Sequence, residues 1–420
     1  MVNQEQRQYP QNTQRFFYGY IVVLAALVIM VVLWGAYSVY GVFFNPLVAE
    51  FEWSRAVTSG AFSLATVLSG VLGVVMGEIT DRFGPRIVMT VSCLLFGVGH
   101  LLMSQVGSLW QLYLFYGVII GVGMSGSWVP VLSIVARWFS RRRSLMTGVV
   151  VAGLSVGRMI GPPVISALIV IYDWRLSYII LGAVVLVFTV IASQFLKRDP
   201  SQMGLRPYGE GEERQEVLDS DVRGFSLGEA ARTWQFWLAF AMFFCFGFGS
   251  FSVWVHIVPY AIDLGISEIS AAGIISTSSG LGILGNFTLG GLVADRIGNR
   301  KVIIIGFMLM SAMLFWLMFV TELWMLYFFA VVYGFAIGGM AASEPTIVAR
   351  LFGLRSHGVI LGFVGLGFTC GAAAGPYVTG YIFDLTGSYE VAFILCGAAA
   401  LLGLIQGIVL RPIRQLDVRL

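Results

Sequence analysis

Two stretches decide the fold. They are Gly77-Glu78-Ile79-Thr80-Asp81-Arg82-Phe83-Gly84-Pro85-Arg86 and, 214 residues further on, Gly291-Leu292-Val293-Ala294-Asp295-Arg296-Ile297-Gly298-Asn299-Arg300. Each closes one long apolar run and opens the next, so a Gly-x-x-x-Asp-Arg-x-Gly-x-Arg loop occurs twice in equivalent surroundings. Other pairs keep the register: Ile134-Val135-Ala136-Arg137-Trp138-Phe139 answers Ile347-Val348-Ala349-Arg350-Leu351-Phe352 at a spacing of 213, and Gly161-Pro162 answers Gly375-Pro376 at 214. The chain is two copies of one unit. Within each loop the glycine permits close helix approach, while the aspartate and arginines suit helix ends and can pair across one face. Such a network can hold one conformation closed and break in another. Gly77, Asp81, Arg82, Arg86, Gly291, Asp295, Arg296 and Arg300 are therefore candidates for conformational gating.

Composition says what surrounds the repeats. Of 420 residues, 58% are hydrophobic and 11% charged, whereas soluble domains carry about 25% charge. So few charges cannot cover a water-facing surface, which excludes an ordinary soluble enzyme, a nucleic-acid binder and a disordered scaffold. Twelve apolar runs are long enough to cross the bilayer as helices, at approximately 18–44, 56–80, 87–106, 109–136, 145–171, 175–196, 234–261, 269–294, 301–320, 323–349, 357–383 and 388–410. None alternates in the manner of a membrane barrel strand. The expected fold is an all-α integral membrane protein with twelve transmembrane helices in two pseudo-symmetric six-helix bundles, residues 1–196 and 234–420. Residues 197–233 form a linker with six basic and eight acidic residues, and 224–232 can form a short interfacial helix.

Charge placement predicts orientation. With the amino terminus inside, 22 of the 25 basic residues fall in cytoplasmic segments and two, Arg55 and Arg175, fall outside. Both termini are then cytoplasmic, and the expected location is a bacterial inner membrane. The remaining basic residue, Arg158, lies within a span. The first apolar run exceeds a signal-peptide core, so no cleaved leader is expected. Cys93, Cys245, Cys370 and Cys396 are far apart, without metal-ligand or disulfide spacing. No Gly-x-x-x-x-Gly-Lys-Ser/Thr phosphate loop occurs, so neither an enzyme nor an ATP-driven pump is expected, and no cofactor or metal. The expected partners are a small organic acid, a proton or counter-anion, and the bilayer around a monomer.

The paired Asp-Arg loops resemble the signature loop of the major facilitator superfamily, and twelve spans in two halves fit its fold throughout. The run from Trp138 through Arg141-Arg142-Arg143 to Gly148, followed by Ala152-Gly153, is similar to the monocarboxylate porter signature entering the fifth span. Tyr18-Gly19-Tyr20 is similar to that branch's first motif, and the oxalate/formate antiporters share much of the pattern. The resemblance implies alternating access and a small carboxylate substrate. One departure matters: Asn286 stands roughly where the monocarboxylate porters place a substrate-binding arginine, and the first span has no lysine.

The expensive groups inside the membrane carry the functional reading. Arg158 lies near the bilayer midplane, where a guanidinium needs an anion or carbonyls. It binds a substrate carboxylate or is a structural arginine paired with Glu344 or with carbonyls of a bent helix. Glu344, in the tenth span, carries a proton, partners Arg158, or sits in a watery vestibule beside Arg350. His256 relays a proton, contacts substrate or serves a gate, or is a satisfied polar group at the interface, and His100 reads as packing. If Arg158 supplies the positive charge, the solute is a small organic anion moved with a proton or by exchange. If not, Asn286, Tyr113, Tyr116, Trp128 and Tyr333 wall a site for a larger or neutral solute, or for an uncoupled facilitator.

Overall fold

The apolar runs form twelve helices in the computed structural model, which describes residues 17–139, 143–205, 208, 224–353 and 357–410. In chain order these are α1 (Gly19–Phe51), α2 (Arg55–Phe83), α3 (Pro85–Met103), α4 (Leu109–Val135), α5 (Arg143–Ile171) and α6 (Trp174–Gln194). The second half holds α7 (Trp234–Asp263), α8 (Glu268–Phe287), α9 (Asn299–Trp316), α10 (Leu323–Phe352), α11 (His357–Thr386) and α12 (Glu390–Val409). The end of the molecule bearing Gly19 and Val409 is called proximal below, and the opposite end distal. Arg7, Arg15, Arg141, Arg142, Arg355 and most of the linker lie outside the described residues, as do the side chains of Asp81, Arg143 and Asp295 and the surroundings of Gly77.

Among the described residues, eleven helices are long and apolar enough to cross a membrane, and α8 is not one of them. Ser270, Ser276, Thr277, Ser278 and Ser279 dilute its hydropathy. It packs against α5 and α10, so protein covers much of what lipid would otherwise meet. α1 runs beyond the expected 44 to Phe51, through a break at Val39 (φ −86°, ψ 1°). It stops where Glu52 turns left-handed at φ 54° and returns its N–H to the Val48 carbonyl. α4 contains a π-helical segment, Tyr113–Ile120, and is interrupted at 126–128 before Pro130 restarts it as Val129–Trp138.

The repeat is visible in the packing. α5 carries Gly153, Gly157 and Gly161, and α11 carries Gly367, Gly371 and Gly375. A Cβ added at Gly157 would strike the Val31 carbonyl of α1, and one at Gly161 would lie 2.7 Å from the Gly35 carbonyl oxygen. In the other half, Cβ atoms at Gly367, Gly371 and Gly375 would strike the Phe240, Phe244 and Phe248 carbonyls of α7. Small residues every fourth position thus let backbones touch, the usual means of helix association where apolar burial gives no advantage over lipid. The loop glycines correspond as well: Gly84 (φ 84°) and Gly298 (φ 90°) occupy the positive-φ region that side chains disfavour.

The linker ends dock on equivalent sites. Tyr208 donates its N–H to the Trp138 carbonyl at 3.0 Å, and Phe225 donates to the Phe352 carbonyl at 2.8 Å. The expected interfacial helix is present as Leu227–Ala231, closed by a Ser226/Glu229 capping box.

Candidate functional site

Arg158 is brought to the middle of the molecule by the glycine interlock. Gly157 precedes it on α5 and Gly35 follows Trp34 on α1, so the approach that these glycines allow carries the guanidinium onto the indole. The guanidinium carbon stands 4.8 Å from the Trp34 ring centroid and 3.4 Å from that of Trp254 on α7. Trp254 is itself anchored across the halves, its indole N–H donating to the Ser38 carbonyl at 3.2 Å. Gly41 of α1 makes room for this crossing, since a Cβ there would lie 2.9 Å from the Val255 carbonyl oxygen. Arg158 Nε is buried without a hydrogen-bond partner, and so is the Trp34 indole nitrogen. Among the described residues, no carboxylate lies within ion-pairing distance of Arg158. It is a cation held by aromatic faces and lacking an anion.

Distal to this site the halves are latched. Arg55 at the start of α2 reaches Asp263 at the end of α7 (2.9 Å), donates to the Tyr389 hydroxyl, and lies 3.9 Å over the Phe383 ring. Asp384 of α11 accepts the backbone N–H groups of Arg55 (2.8 Å) and Ala56 (2.7 Å), neutralising the positive end of α2. His256 sits behind: Nδ1 is 3.1 Å from the Tyr389 hydroxyl, Nε2 is 2.9 Å from the Pro376 carbonyl, and the ring is fully buried. Both nitrogens are committed to this seal, so His256 belongs to the latch and does not reach Arg158 as a substrate ligand.

The other expected residues divide. Trp128, at the break in α4, is 42% exposed and meets the Trp34 ring edge-on at 6.4 Å, which adds it to the aromatic surround. Tyr116 is buried in the core of the first half, 4.3 Å from the Tyr40 ring. Tyr113 donates its hydroxyl to the Val57 carbonyl at 3.0 Å. Tyr333 is buried in the second half and donates to the Gly249 carbonyl at 3.2 Å. Tyr116 and Tyr333 are thus buried within their own halves, whereas Tyr113 is half-buried. Asn286 is exposed on α8, six residues proximal of Gly280, where a Cβ would lie 3.4 Å from Met159 Sδ. Glu344 is half-buried on α10 and, among the described residues, makes no ion pair with Arg158 or Arg350. His100 is buried in packing, Nδ1 lying 2.8 Å from the Phe96 carbonyl.

The loop arginines act within their own halves. Arg86 Nε donates to Gln194 Oε1 at the end of α6 (2.8 Å), and Arg300 Nε donates to the Gly407 carbonyl near the end of α12 (3.2 Å), with Nη2 on Ile408. Positions 214 apart thus perform one task, tying the third helix of each half to the sixth. Arg82 lies 5.4 Å over Phe83, and Arg296 is exposed. Sequence reasoning missed Trp34, Trp254 and the Arg55 latch. Its one signal for the latch was that Arg55 is among only two basic residues expected on the distal side.

Breaking the latch is expected to loosen the distal contact. Arg55→Ala removes a partly buried ion pair and a cation–π contact, together about 1–2 kcal/mol, or roughly tenfold in the balance of states. Spin labels at residues 105 and 385, in a cysteine-free background, report this as a longer-distance population. An unchanged distance distribution would show the contact to be incidental.

A membrane-spanning two-half bundle with a central cation and one latched end defines a solute carrier. The description "Major Facilitator Superfamily" matches residues 25–293 and 263–418, and the chain belongs to that family. It is a transporter, not an enzyme. It is 27% identical over 387 residues to monocarboxylate transporter 13 of Bos taurus, covering 92% of this chain and 88% of that one. To monocarboxylate transporter 12 of Homo sapiens it is 26% identical over 401 residues, covering 90% and 78%. The fold also matches the crystal structure of a bacterial homologue of the human lysosomal transporter Spinster in an inward-facing, unoccupied conformation. That match has a TM-score of 0.71 at 16% identity and covers 94% of this chain and 95% of that one.

Proposed function

We propose that the chain is a secondary active transporter that moves a small, monocarboxylate-like organic anion across a bacterial cytoplasmic membrane by alternating access. The observation that carries this is Arg158, a central guanidinium flanked by Trp34 and Trp254 with no carboxylate partner among the described residues. An unpaired cation at that depth is costly, and a substrate carboxylate offsets the cost when it binds. The names of the monocarboxylate transporters it resembles agree with such a cargo. Residues 1–196 and 234–420 then move as two bundles joined by residues 197–233.

The excess of basic residues in the segments read as cytoplasmic supports a topology with both termini inside. The Arg55 latch is then the outer gate, and the described conformation is closed to the outside. Glu344, half-buried and without an ion-pair partner among the described residues, is the group suited to carry a coupled proton. Asn286 lies along the route between Arg158 and the cytoplasm. The gating loops, with Arg82, Arg86, Arg296 and Arg300, meet the opposite half when the inner side closes.

The test is uptake into proteoliposomes of labelled lactate, pyruvate, formate and oxalate, with and without an inward proton gradient. Accumulation above the external concentration that collapses with the gradient, or accelerates against an internal carboxylate, is expected. Equilibration without accumulation under either condition would indicate an uncoupled pathway.

A further inference from the structure

We propose that the Arg158 site is built for an aromatic monocarboxylate, with Trp34 as a second carboxylate donor and Trp128 as the platform for the ring. This rests on the reading of Arg158 as the anion-binding group and goes on to name the rest of the ligand. The hydrogen-bonding inventory comes first. The Trp254 indole N–H is committed to Ser38, and the Tyr37 hydroxyl is paired with Thr66 Oγ1 at 2.9 Å. Arg158 Nε and Trp34 Nε1 are buried and unpartnered. What the site offers is donors, and a ligand end made only of acceptors satisfies them. A carboxylate satisfies these two donors, whereas an amine or primary amide would bring further donors to them.

The geometry then limits where the ligand body goes. The indoles of Trp34 and Trp254 occupy the space over the guanidinium, so a carboxylate meets its N–H edge and the substituent extends away from it. Trp128 stands beside Trp34, at an interplanar angle of 79° and 42% exposed. Trp254 continues into Phe251, stacked at 5.6 Å. A flat ring lying on Trp128 covers an aromatic face that a two- or three-carbon acid leaves uncovered.

Binding to the purified full chain in detergent, measured by calorimetry, tests this with benzoate and lactate. Benzoate is expected to bind about tenfold more tightly than lactate. Trp34→Phe keeps the ring and removes the N–H, and is expected to weaken both acids by a similar factor. Trp128→Ala is expected to bring the two Kd values to within about twofold of each other, with Trp128→Phe restoring the difference. The benzoate-to-lactate comparison is a ratio within one preparation, so partial misfolding cancels in it. Lactate binding as tightly as benzoate, or a ratio indifferent to Trp128→Ala, overturns the aromatic assignment while leaving the anion site standing. Binding of neither acid, or binding unaffected by Arg158→Gln, overturns the anion site and this assignment with it.

Discussion

Arg158→Gln is expected to reduce kcat/KM for any transported carboxylate by roughly 150- to 5,000-fold, the loss that follows removal of one partner from a desolvated charge pair worth about 3–5 kcal/mol. Glutamine keeps length and polarity but cannot supply charge or a two-pronged edge. Arg158→Lys is expected to recover part of the rate, since the charge returns without the planar fork that rests on two indoles. The stability of the empty protein separates a binding role from a structural one. Arg158 makes aromatic contacts but neither an ion pair nor a hydrogen bond among the described residues. Removing it should therefore leave the ligand-free melting temperature unchanged or raised. A variant that melts early and still transports would assign Arg158 to architecture.

The second large effect concerns folding. Gly371→Leu is expected to prevent assembly of the second half, because even a Cβ would strike the Phe244 carbonyl, which belongs to helix backbone and cannot rotate away. Forcing α7 and α11 apart opens their whole seam, a loss of at least about 3 kcal/mol. Gly365 lies on the same helix, but a Cβ there meets nothing within 4 Å. Gly365→Ala should be neutral or stabilising by about 0.5–1 kcal/mol, as alanine normally is in a helix. Fluorescence-detected gel filtration of the two variants checks the contrast. Equal, monodisperse peaks would mean that α7 and α11 can slide to accommodate a larger side chain.

Much of the fold was legible because it is written in periodic and repeated features. Apolar runs of membrane length, the doubled Asp-Arg loop and the paired Gly-Pro steps are local or recur at one spacing. The site was only half legible. Arg158 announced itself as a charge where charge is costly, but nothing local joins it to Trp34, 124 positions earlier, or to Trp254. A tyrosine in a span looks alike whether it lines a gap or fills a core, and Tyr116 and Tyr333 are buried within their halves. The Arg55 latch was hidden for a further reason: its partners Asp263, Asp384 and Tyr389 lie 208 to 334 residues away. Each of them, taken alone, is an unremarkable loop-end residue. His256 was read as a site, a gate or a satisfied polar group, and its contacts with Tyr389 and Pro376 seat it behind the latch.

The serine-rich character of α8 bears on how the protein is made. Its hydroxyl side chains lower the gain from placing it in lipid alone, so its insertion leans on the helices it packs against. Its partners α5 and α7 precede it from the ribosome, but α10, against which its glycines seat most closely, follows. The second half is therefore expected to enter the bilayer as a group, with α8 held in a protein-lined waiting position until α10 arrives. Its biogenesis is then slower and more dependent on the insertion machinery than that of the first half.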